Sequence, residues 1–418
     1  MVFNLWVLLI VTIQACLIKS KESKIPELGF YGHISVNQDN DDLYYMLYPP
    51  RNPVQNTPLI IWLSGGPGCA STIAMLYENG PIQIDKNGKA QKNPFSWNDK
   101  AWLLYVDQPL NTGFSHSSNR NIPELEWQIS ETFLAFMIGL YKKHPELTFL
   151  RLFVAGNSYA GHYVPAIAHR LHQYSHNQFN LNGIAIGNAW TSPAVQQVAY
   201  IDFADKYDLV DGDKDLLARL RPKLEICQKL AGLDSPLTKS VGMSYCNKLF
   251  DSLVVDPKTG APRWNPMNYK EPFDNSRETA WISSPDVLAE LKSDKLFESC
   301  SPIVEARVNR LDLRTDTGPF VGALLDGGVN VLAYNGDLDL VCSYISGEAW
   351  TNNVKWAQQS EFQRSTYQKV LLPNGTAYGE TRGVGKFQFI RVYQAGHLAS
   401  HDKPEESLYM INKFTGLI

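Results

Sequence analysis

The sequence predicts an α/β fold: a mostly parallel central sheet with helices on both faces, and an inserted, largely helical cap. Helix-like segments alternate with short, mostly apolar runs of the kind that form parallel strands buried on both faces. These runs are Leu59–Leu63, Trp102–Val106, Leu152–Ala155, Gly183–Ile186, Val329–Tyr334 and Phe387–Val392. Between residues 195 and 322 the pattern changes to charged, helix-like segments such as Asp213–Lys229 and Ser284–Phe297, which indicates the cap.

The chain is expected to begin with a secretory signal peptide over residues 1–20. Its apolar stretch from Leu5 to Ile18 is too short to span a bilayer comfortably. No later segment reaches the roughly 18 uninterrupted apolar residues that a spanning helix requires, so no membrane attachment is expected after signal removal. The remainder divides into a core, residues 21–194 and 323–418, and the cap, residues 195–322.

Composition argues against several classes of partner. The formal charge is -4 and the isoelectric point is about 6.2, with no long run of one sign, so neither nucleic acid nor an anionic membrane is expected. Neither C-x-x-C nor H-E-x-x-H occurs, so no zinc site is expected, and we predict that no metal or other cofactor is required.

Cysteine usage agrees with an oxidising compartment. Removal of Cys16 with the signal leaves an odd number, so two disulfides and one free thiol are expected among Cys69, Cys227, Cys246, Cys300 and Cys342. Asn374-Gly375-Thr376 is an acceptable glycosylation sequence in an Asn-Gly turn between two strand-like runs. It predicts an exposed glycan at Asn374 or, alternatively, a hairpin turn without one.

The most informative stretch is Val154–Tyr163, which places Ser158 inside G-x-S-x-G between a strand-like and a helix-like run. That is the sequence form of a nucleophile elbow. Gly156 and Gly161 leave room for a strained backbone, and the amide after the serine can face an oxyanion. Because G-x-S-x-G often occurs by chance, an ordinary strand-turn-helix with an exposed serine is the alternative.

A serine nucleophile needs a base and a carboxylate that orients the base. The candidates follow in the order serine, acid, histidine, as on α/β-hydrolase scaffolds. Asp337 and Asp339 lie just past the fifth apolar run, and His397 lies just past the sixth. His401 is the rival base, whereas His162 follows the serine too closely to approach it from across the sheet. The residues alone do not choose between the two aspartates.

Several longer motifs follow in order along the chain. They are Pro58–Cys69, Phe95–Asn98, Asp107–Pro109 with Gly113–Ser115, Gly156–Pro165, Gly183–Asn188, Gly336–Cys342, and Ala395–His397 with Asp402 and Pro404. Together they resemble the serine carboxypeptidase family of α/β hydrolases over nearly the whole mature sequence. The resemblance implies the α/β-hydrolase fold.

The resemblance also implies roles for individual residues. Ser158 would be the nucleophile, His397 the general base and then acid, and Asp339, rather than the other aspartate, the orienting carboxylate. Backbone amides of Gly66 and Tyr159 would form the oxyanion hole. The family pattern further places Cys342 and Leu398 in the substrate pocket. It also implies two disulfides, one between Cys69 and Cys300 and one between Cys227 and Cys246.

Recognition of the substrate's terminal carboxylate is where the chain departs from this pattern. Similar enzymes use an asparagine before the Gly-Gly pair and two glutamic acids that share a proton. The matching positions here are Ser64, Asn157 and Glu78, of which Glu78 alone keeps the family's residue. A serine hydroxyl and an asparagine amide can still donate hydrogen bonds to a carboxylate.

The resemblance therefore predicts a serine carboxypeptidase that releases C-terminal amino acids from peptides or proteins through an acyl-enzyme. Its place would be the secretory pathway, in a lysosome or vacuole or outside the cell, and a homodimer is left open. The alternatives are an esterase or acyltransferase on the same triad, and a non-catalytic protective or binding homologue. A non-catalytic homologue would be expected to lack a triad residue, and all three are present in this sequence.

Overall fold

A ten-stranded sheet forms the centre of the protein in this computed structural model. The structure describes residues 24–117, 122–174, 178–231, 274–311 and 315–418, with positions 233, 242, 245, 246, 248–250, 252 and 253. The predicted signal peptide lies outside the described residues. Within them, no helix combines the length and the apolar character needed to cross a membrane.

Six neighbouring strands of the sheet are parallel, and antiparallel strands extend it at both edges. The strand order is β1-β2-β6-β3-β7-β8-β9-β12-β11-β10, and β4 and β5 form a separate hairpin. The strands are β1 (Phe30–Ser35), β2 (Asp42–Tyr48), β3 (Leu59–Leu63), β4 (Ile82–Ile84), β5 (Ala90–Lys92), β6 (Trp102–Asp107), β7 (Leu152–Ser158), β8 (Leu181–Ala189), β9 (Asn330–Gly336), β10 (Gln368–Leu371), β11 (Ala377–Val384) and β12 (Phe387–Val392).

The central strands separate two hydrophobic cores. In β3, Leu59, Ile61 and Leu63 pack into one core and Ile60 and Trp62 into the other, as the two-residue period of a strand requires. Both faces are covered, so every residue of β3 is buried. This explains why the six central strands appear in the sequence as mostly continuous apolar runs rather than alternating ones.

Helices occupy both faces and the inserted region. They are α1 (Ser71–Tyr77), α2 (Glu126–Lys143), α3 (Ala160–Gln173), α4 (Pro193–Gln196), α5 (Ala199–Lys206), α6 (Lys214–Ala231), α7 (Ser276–Ile282), α8 (Pro285–Glu290), α9 (Pro302–Leu311), α10 (Gly318–Asp326), α11 (Tyr344–Asn353), α12 (Gln359–Arg364), α13 (Ala399–Asp402) and α14 (Pro404–Phe414). The described residues between β8 and β9 form no strand.

Two details of the inserted region differ from the sequence-based expectation. The helix expected over Ser284–Phe297 ends at Glu290, because Lys292 adopts a left-handed conformation with φ of 52° that an α-helix does not continue through. The expected cap boundary at residue 322 falls inside α10, which packs against α3 and β9 of the core. We therefore propose that the insertion ends before residue 318.

The described residues include two disulfides, of which one joins distant parts of the chain and the other closes a short loop. Cys69 is joined to Cys300 across 231 residues, and Cys227 to Cys246 across 19. Cys342 is free and buried. Asn374 is exposed in the turn between β10 and β11, where Gly375 has a φ of 85°.

Candidate active site

Ser158 lies on a sharp turn at the carboxyl end of β7. It is the last residue of the strand, its φ is 60°, and α3 begins two residues later at Ala160. A Cβ atom at Gly156 would lie 2.4 Å from the Leu63 carbonyl oxygen, and one at Gly161 would lie 2.6 Å from the Trp190 carbonyl oxygen. A side chain at either glycine would collide with a neighbouring backbone carbonyl, so both positions require glycine. This is the geometry of a nucleophile elbow.

His397 and Asp339 meet at the same edge of the sheet, since parallel strands end on one side. Asp339 follows β9 and is fully buried, and its Oδ2 lies 2.8 Å from His397 Nδ1. Asn188, at the end of β8, donates a second hydrogen bond of 2.8 Å to the same oxygen. Burial lowers the pKa of His397, but the Asp339 charge and hydrogen bond outweigh it and hold that pKa above the usual value.

Asp337, the other candidate acid, faces away from His397. Its Oδ1 accepts a hydrogen bond of 2.7 Å from the Gln394 amide, and its Oδ2 lies 3.6 Å from Arg391 Nη2. Asp337 therefore joins the acid loop to the end of β12. The two aspartates, which the sequence motifs alone do not distinguish, thus differ in their contacts: Asp339 contacts His397, and Asp337 contacts Gln394 and Arg391.

The two rival histidines are also engaged elsewhere. His401 Nδ1 lies 2.8 Å from the Tyr77 carbonyl oxygen, and its ring stacks on Tyr77 with centroids 4.2 Å apart. His162 is buried in α3 with Nδ1 2.6 Å from the Trp190 carbonyl oxygen. Of the three histidines considered as bases, His397 is the one that contacts a candidate acid.

A glycine-rich loop after β3 packs directly against the elbow. A Cβ atom at Gly65 would lie 2.5 Å from the Tyr159 amide nitrogen and 2.8 Å from the Asn157 carbonyl oxygen. Gly66 follows with a φ of 110°, and it lines the same cavity as Ser158 and Tyr159. Two backbone segments thus lie close enough to present amides to one oxyanion.

A buried carboxyl group lies on the other side of the elbow. Glu78 Oε2 accepts hydrogen bonds from Asn157 Nδ2 at 3.0 Å and from Ser400 Oγ at 2.8 Å. Ser400 is three residues beyond His397, and nothing in the sequence marked it for this contact. In the described part of the chain, the buried Ser64 hydroxyl has no hydrogen-bond partner. The structure therefore brings Asn157 and Glu78 together and shows no hydrogen bond from the Ser64 hydroxyl to either.

Desolvation dominates the acid-base behaviour of this carboxyl group. Burial raises the pKa of Glu78 to about 7, although the hydrogen bonds from Ser400 and Asn157 and the nearby His397 act in the opposite direction. Glu78 can therefore exchange a proton near neutral pH. A protonated carboxyl group is a donor, and an ionised one only accepts.

A cavity of about 230 Å³ opens beside the nucleophile. Its described lining combines core and inserted residues: Gly66, Ser158, Tyr159, Trp190, Gln197, Tyr200, Leu224, Cys246, Phe250, Val341 and Cys342. No ionised side chain is among them at neutral pH. Cys342 lines this cavity, whereas Leu398, the other residue that the family pattern places in the substrate pocket, is partly exposed and is not among the described lining residues.

One group of described side chains has ligand atoms close enough together to hold a metal ion: Asp339, Cys342 and His397, within 4.8 Å of one another. Asp339 and His397 already share a hydrogen bond. Burial, and then the Asp339 charge, raise the pKa of Cys342 well above its usual range, so the thiol is protonated at neutral pH. A protonated thiol is a poor metal ligand.

An elbow serine, with a buried Asp-His pair at the same sheet edge, defines a serine hydrolase of the α/β-hydrolase fold. The sequence model of the serine carboxypeptidase family matches residues 22–416. The chain belongs to this family and is a hydrolase. The fold class, the family resemblance and the enzyme class predicted from the sequence are thereby confirmed.

Named relatives agree with this placement. The chain is 34% identical to serine carboxypeptidase 3 of Oryza sativa over 389 residues, which are 91% of this chain and 77% of the rice protein. It is 30% identical to carboxypeptidase Y of Komagataella phaffii over 405 residues, 92% of this chain and 75% of the yeast protein. The fold matches that of a prohormone-processing carboxypeptidase from Saccharomyces cerevisiae with a TM-score of 0.80 at 24% identity, covering 94% and 93% of the two chains.

Proposed function

We propose that this protein removes single amino acids from the C-termini of peptides, with Ser158, His397 and Asp339 as its catalytic triad. The observation that carries the proposal is Glu78, a buried carboxyl group bonded to Asn157, the residue just before the nucleophile. Attack at the last peptide bond leaves one residue between Ser158 and the substrate's terminal carboxylate. Glu78, when protonated, and Asn157, beside the nucleophile, offer hydrogen-bond donors for that carboxylate, and Ser64 offers a hydroxyl.

Each catalytic residue has a defined role in this reaction. His397 takes the Ser158 proton as the hydroxyl oxygen attacks the last peptide carbonyl, and Asp339 stabilises the imidazolium that results. Amides of Gly66 and Tyr159 donate to the developing oxyanion. His397 then returns the proton to the departing amino acid, and a water molecule, activated by the same imidazole, hydrolyses the acyl-enzyme.

Product analysis tests this function against its alternatives. Mass spectrometry of a blocked peptide should show loss of one C-terminal residue at a time, much slower loss when the terminus is an amide, and no loss when Ser158 is alanine. Hydrolysis of small esters without peptide trimming would indicate an esterase instead. Transfer of the acyl group to an added alcohol in place of water would indicate an acyltransferase.

Glu78 is expected to make the preference for peptide acids dependent on pH. Its pKa is raised to about 7, chiefly by burial; hydrogen bonds from Ser400 and Asn157 and the His397 charge act to lower it, and the Asp402 charge acts to raise it. Below this value Glu78 is protonated and donates to the terminal carboxylate, and above it two negative charges repel. The ratio of kcat/KM for a peptide acid to that for its ester should therefore be high at acid pH and fall as pH rises through about 7.

His397 must be neutral for the enzyme to cleave either substrate, so its effect on the pH dependence of kcat/KM cancels in this ratio. Glu78→Gln keeps the shape of the side chain and removes the titration, so its ratio should not vary with pH. A bound carboxylate raises the Glu78 pKa further in the complex, so kcat for the acid should persist to higher pH, whereas kcat/KM follows the pKa of the free enzyme. The same ratio at every pH in the wild type would show that Glu78 does not contact the substrate terminus.

The cavity beside Ser158 is proposed to bind the residue that forms the acyl-enzyme, because neither Glu78 nor Asn157 lines it. Its aromatic and aliphatic walls contain no charge to pair with an ionic side chain. We expect kcat/KM for phenylalanine before the scissile bond to exceed that for lysine or aspartate by roughly 100-fold or more, because an unpaired charge is costly to bury.

The matched variants Leu224→Asp and Leu224→Asn test this assignment, since they differ in charge and hardly in size. Leu224→Asp should improve lysine relative to phenylalanine, and Leu224→Asn should not. Equal use of all three side chains by the wild type would exclude the cavity as the binding site of this residue.

We infer that the protein works in the secretory pathway. Two disulfides and an exposed Asn374 in a glycosylation sequence support this placement. Expression in a eukaryotic host should give a glycosidase-sensitive mass increase that Asn374→Gln removes. A wild-type mass without glycan would indicate that Asn374 serves the hairpin turn alone.

A further inference from the structure

Helix α5 of the inserted region contacts the loop that carries Asp339. The Tyr200 hydroxyl donates to the Val341 carbonyl oxygen at 3.1 Å, and the Tyr207 hydroxyl, just after α5, donates to the Asp337 carbonyl oxygen at 2.8 Å. These two acceptors lie two residues after and two residues before Asp339. The acid loop is therefore held on both sides of its carboxylate by tyrosines from outside the core.

A third contact from the same helix anchors the end of the loop. The Lys206 ammonium is hydrogen-bonded to the Tyr344 hydroxyl and lies 4.9 Å from the centre of that ring. Tyr344 begins α11, and the Arg391 guanidinium lies 4.1 Å from its ring centre. We call the side chains of Tyr200, Lys206 and Tyr207 the α5 clasp.

The core also holds the acid loop: the Asp337 amide donates to the Val392 carbonyl at 3.0 Å, and the Asp337 side chain bonds to the Gln394 amide and lies near Arg391. The Leu338 amide donates to the Ala395 carbonyl at 2.9 Å, and Asn335 Nδ2 donates to the Cys342 carbonyl at 2.8 Å. Asp339 accepts its hydrogen bonds on Oδ2, while its buried Oδ1 has no partner among the described residues. The orientation of the carboxylate therefore depends strongly on where the loop backbone is held.

We propose that the α5 clasp positions the Asp339 loop for catalysis, with Tyr207 as its principal residue. The inserted region would then set the geometry of the acid-base pair as well as enclose the substrate. Tyr200 also lines the cavity beside Ser158, so a bound side chain would contact one arm of the clasp. This inference rests on the proposed triad and concerns residues that touch neither the substrate's carboxylate nor the scissile bond.

Tyr207→Phe tests the proposal with little disturbance of packing. The variant loses the hydroxyl and keeps the ring, whose centroid lies 4.4 Å from that of Phe203. Small displacements of catalytic groups are costly, so kcat should fall roughly tenfold while KM changes less than about twofold. The rate at which a fluorophosphonate modifies Ser158 should fall in parallel, and the low-field proton resonance of His397 Nδ1 should shift.

Tyr31→Phe is the matched control. It removes the same kind of bond, a tyrosine hydroxyl donating to the Glu290 carbonyl at 2.7 Å, between β1 and α8. A purely structural effect would lower thermal stability in both variants alike, whereas kcat and the phosphonylation rate should fall only in Tyr207→Phe. Unchanged kcat in Tyr207→Phe, or an equal fall in the control, would overturn the proposal.

A further variant and the phosphonylation assay distinguish failure of the clasp proposal from failure of the proposed triad or substrate. If Tyr207→Phe does not fold, Lys206→Met, at an exposed position, should show the same fall in kcat at unchanged KM, and wild-type kinetics there would reject the clasp. Slower phosphonylation in an enzyme that trims no peptides would support the clasp and reject the proposed substrate. Absence of wild-type phosphonylation would reject the triad on which both depend.

Discussion

Replacing Ser158, His397 or Asp339 is expected to remove nearly all turnover. Ser158→Ala and His397→Ala should each lower kcat by about 10⁴-fold or more, because the serine has no nucleophilic strength without its base. Asp339→Asn should cost a similar factor, since His397 Nδ1 would lose the carboxylate 2.8 Å away that fixes its tautomer. The measurement is kcat for a blocked dipeptide with each purified, folded variant.

Asp337→Asn and His401→Ala are the internal controls, because both residues bond to groups outside the triad. They should retain kcat within about tenfold of wild type, although Asp337→Asn weakens the link to Arg391 and should lower thermal stability. The double variant of Ser158 and His397 should be hardly worse than either single one, since the triad acts as a unit. An active Asp339→Asn beside an inactive Asp337→Asn would reverse the assignment of the acid.

Gly65→Ala is expected to have the second-largest effect. The new Cβ would lie 2.5 Å from the Tyr159 amide nitrogen and 2.8 Å from the Asn157 carbonyl oxygen, and neither backbone atom can rotate away. The loop must therefore shift and withdraw the Gly66 amide from the elbow. Loss of one oxyanion donor typically lowers kcat by about 10²- to 10³-fold, and we expect a loss of that size.

Gly88→Ala provides the comparison, because a Cβ there meets no atom within 4 Å. Its φ of 74° makes alanine strained, so thermal stability should fall by the equivalent of about 1 kcal/mol while kcat stays unchanged. Wild-type kcat in Gly65→Ala would show that the loop after β3 does not supply the oxyanion donor.

Local patterns predicted the framework of the site well. The strand before Ser158 and the strands before Asp339 and His397 are mostly buried, which leaves mainly apolar runs that are visible without a structure. The elbow was equally visible, because its glycines are needed for backbone approach and stand at fixed spacing.

Contacts between distant segments were not predictable in this way. Asn188 reaches Asp339 across 151 residues of sequence, Ser400 reaches Glu78 across 322, and the Tyr207 hydroxyl reaches the Asp337 carbonyl across 130. Each is a common residue type with no local signature, and its partner is set by strand order and by how the inserted region folds back. The choice between two nearby aspartates likewise required the structure, in which Asp337 lies 3.6 Å from Arg391 while Asp339 contacts His397.

The most direct test of carboxypeptidase action is the kcat/KM of a blocked dipeptide compared with that of its C-terminal amide, in wild type, Glu78→Gln and Glu78→Leu at about pH 5. At that pH Glu78, with a pKa of about 7, is protonated and should donate to the terminal carboxylate. We predict that the wild type prefers the acid by roughly 100-fold, as expected for a charge-assisted hydrogen bond made in the transition state; Glu78→Gln, whose amide can also donate, should keep much of this preference, and Glu78→Leu, which has no donor, should lose it. Equal kcat/KM for acid and amide in the wild type would contradict the account, because an enzyme that does not distinguish a terminal carboxylate is not a carboxypeptidase.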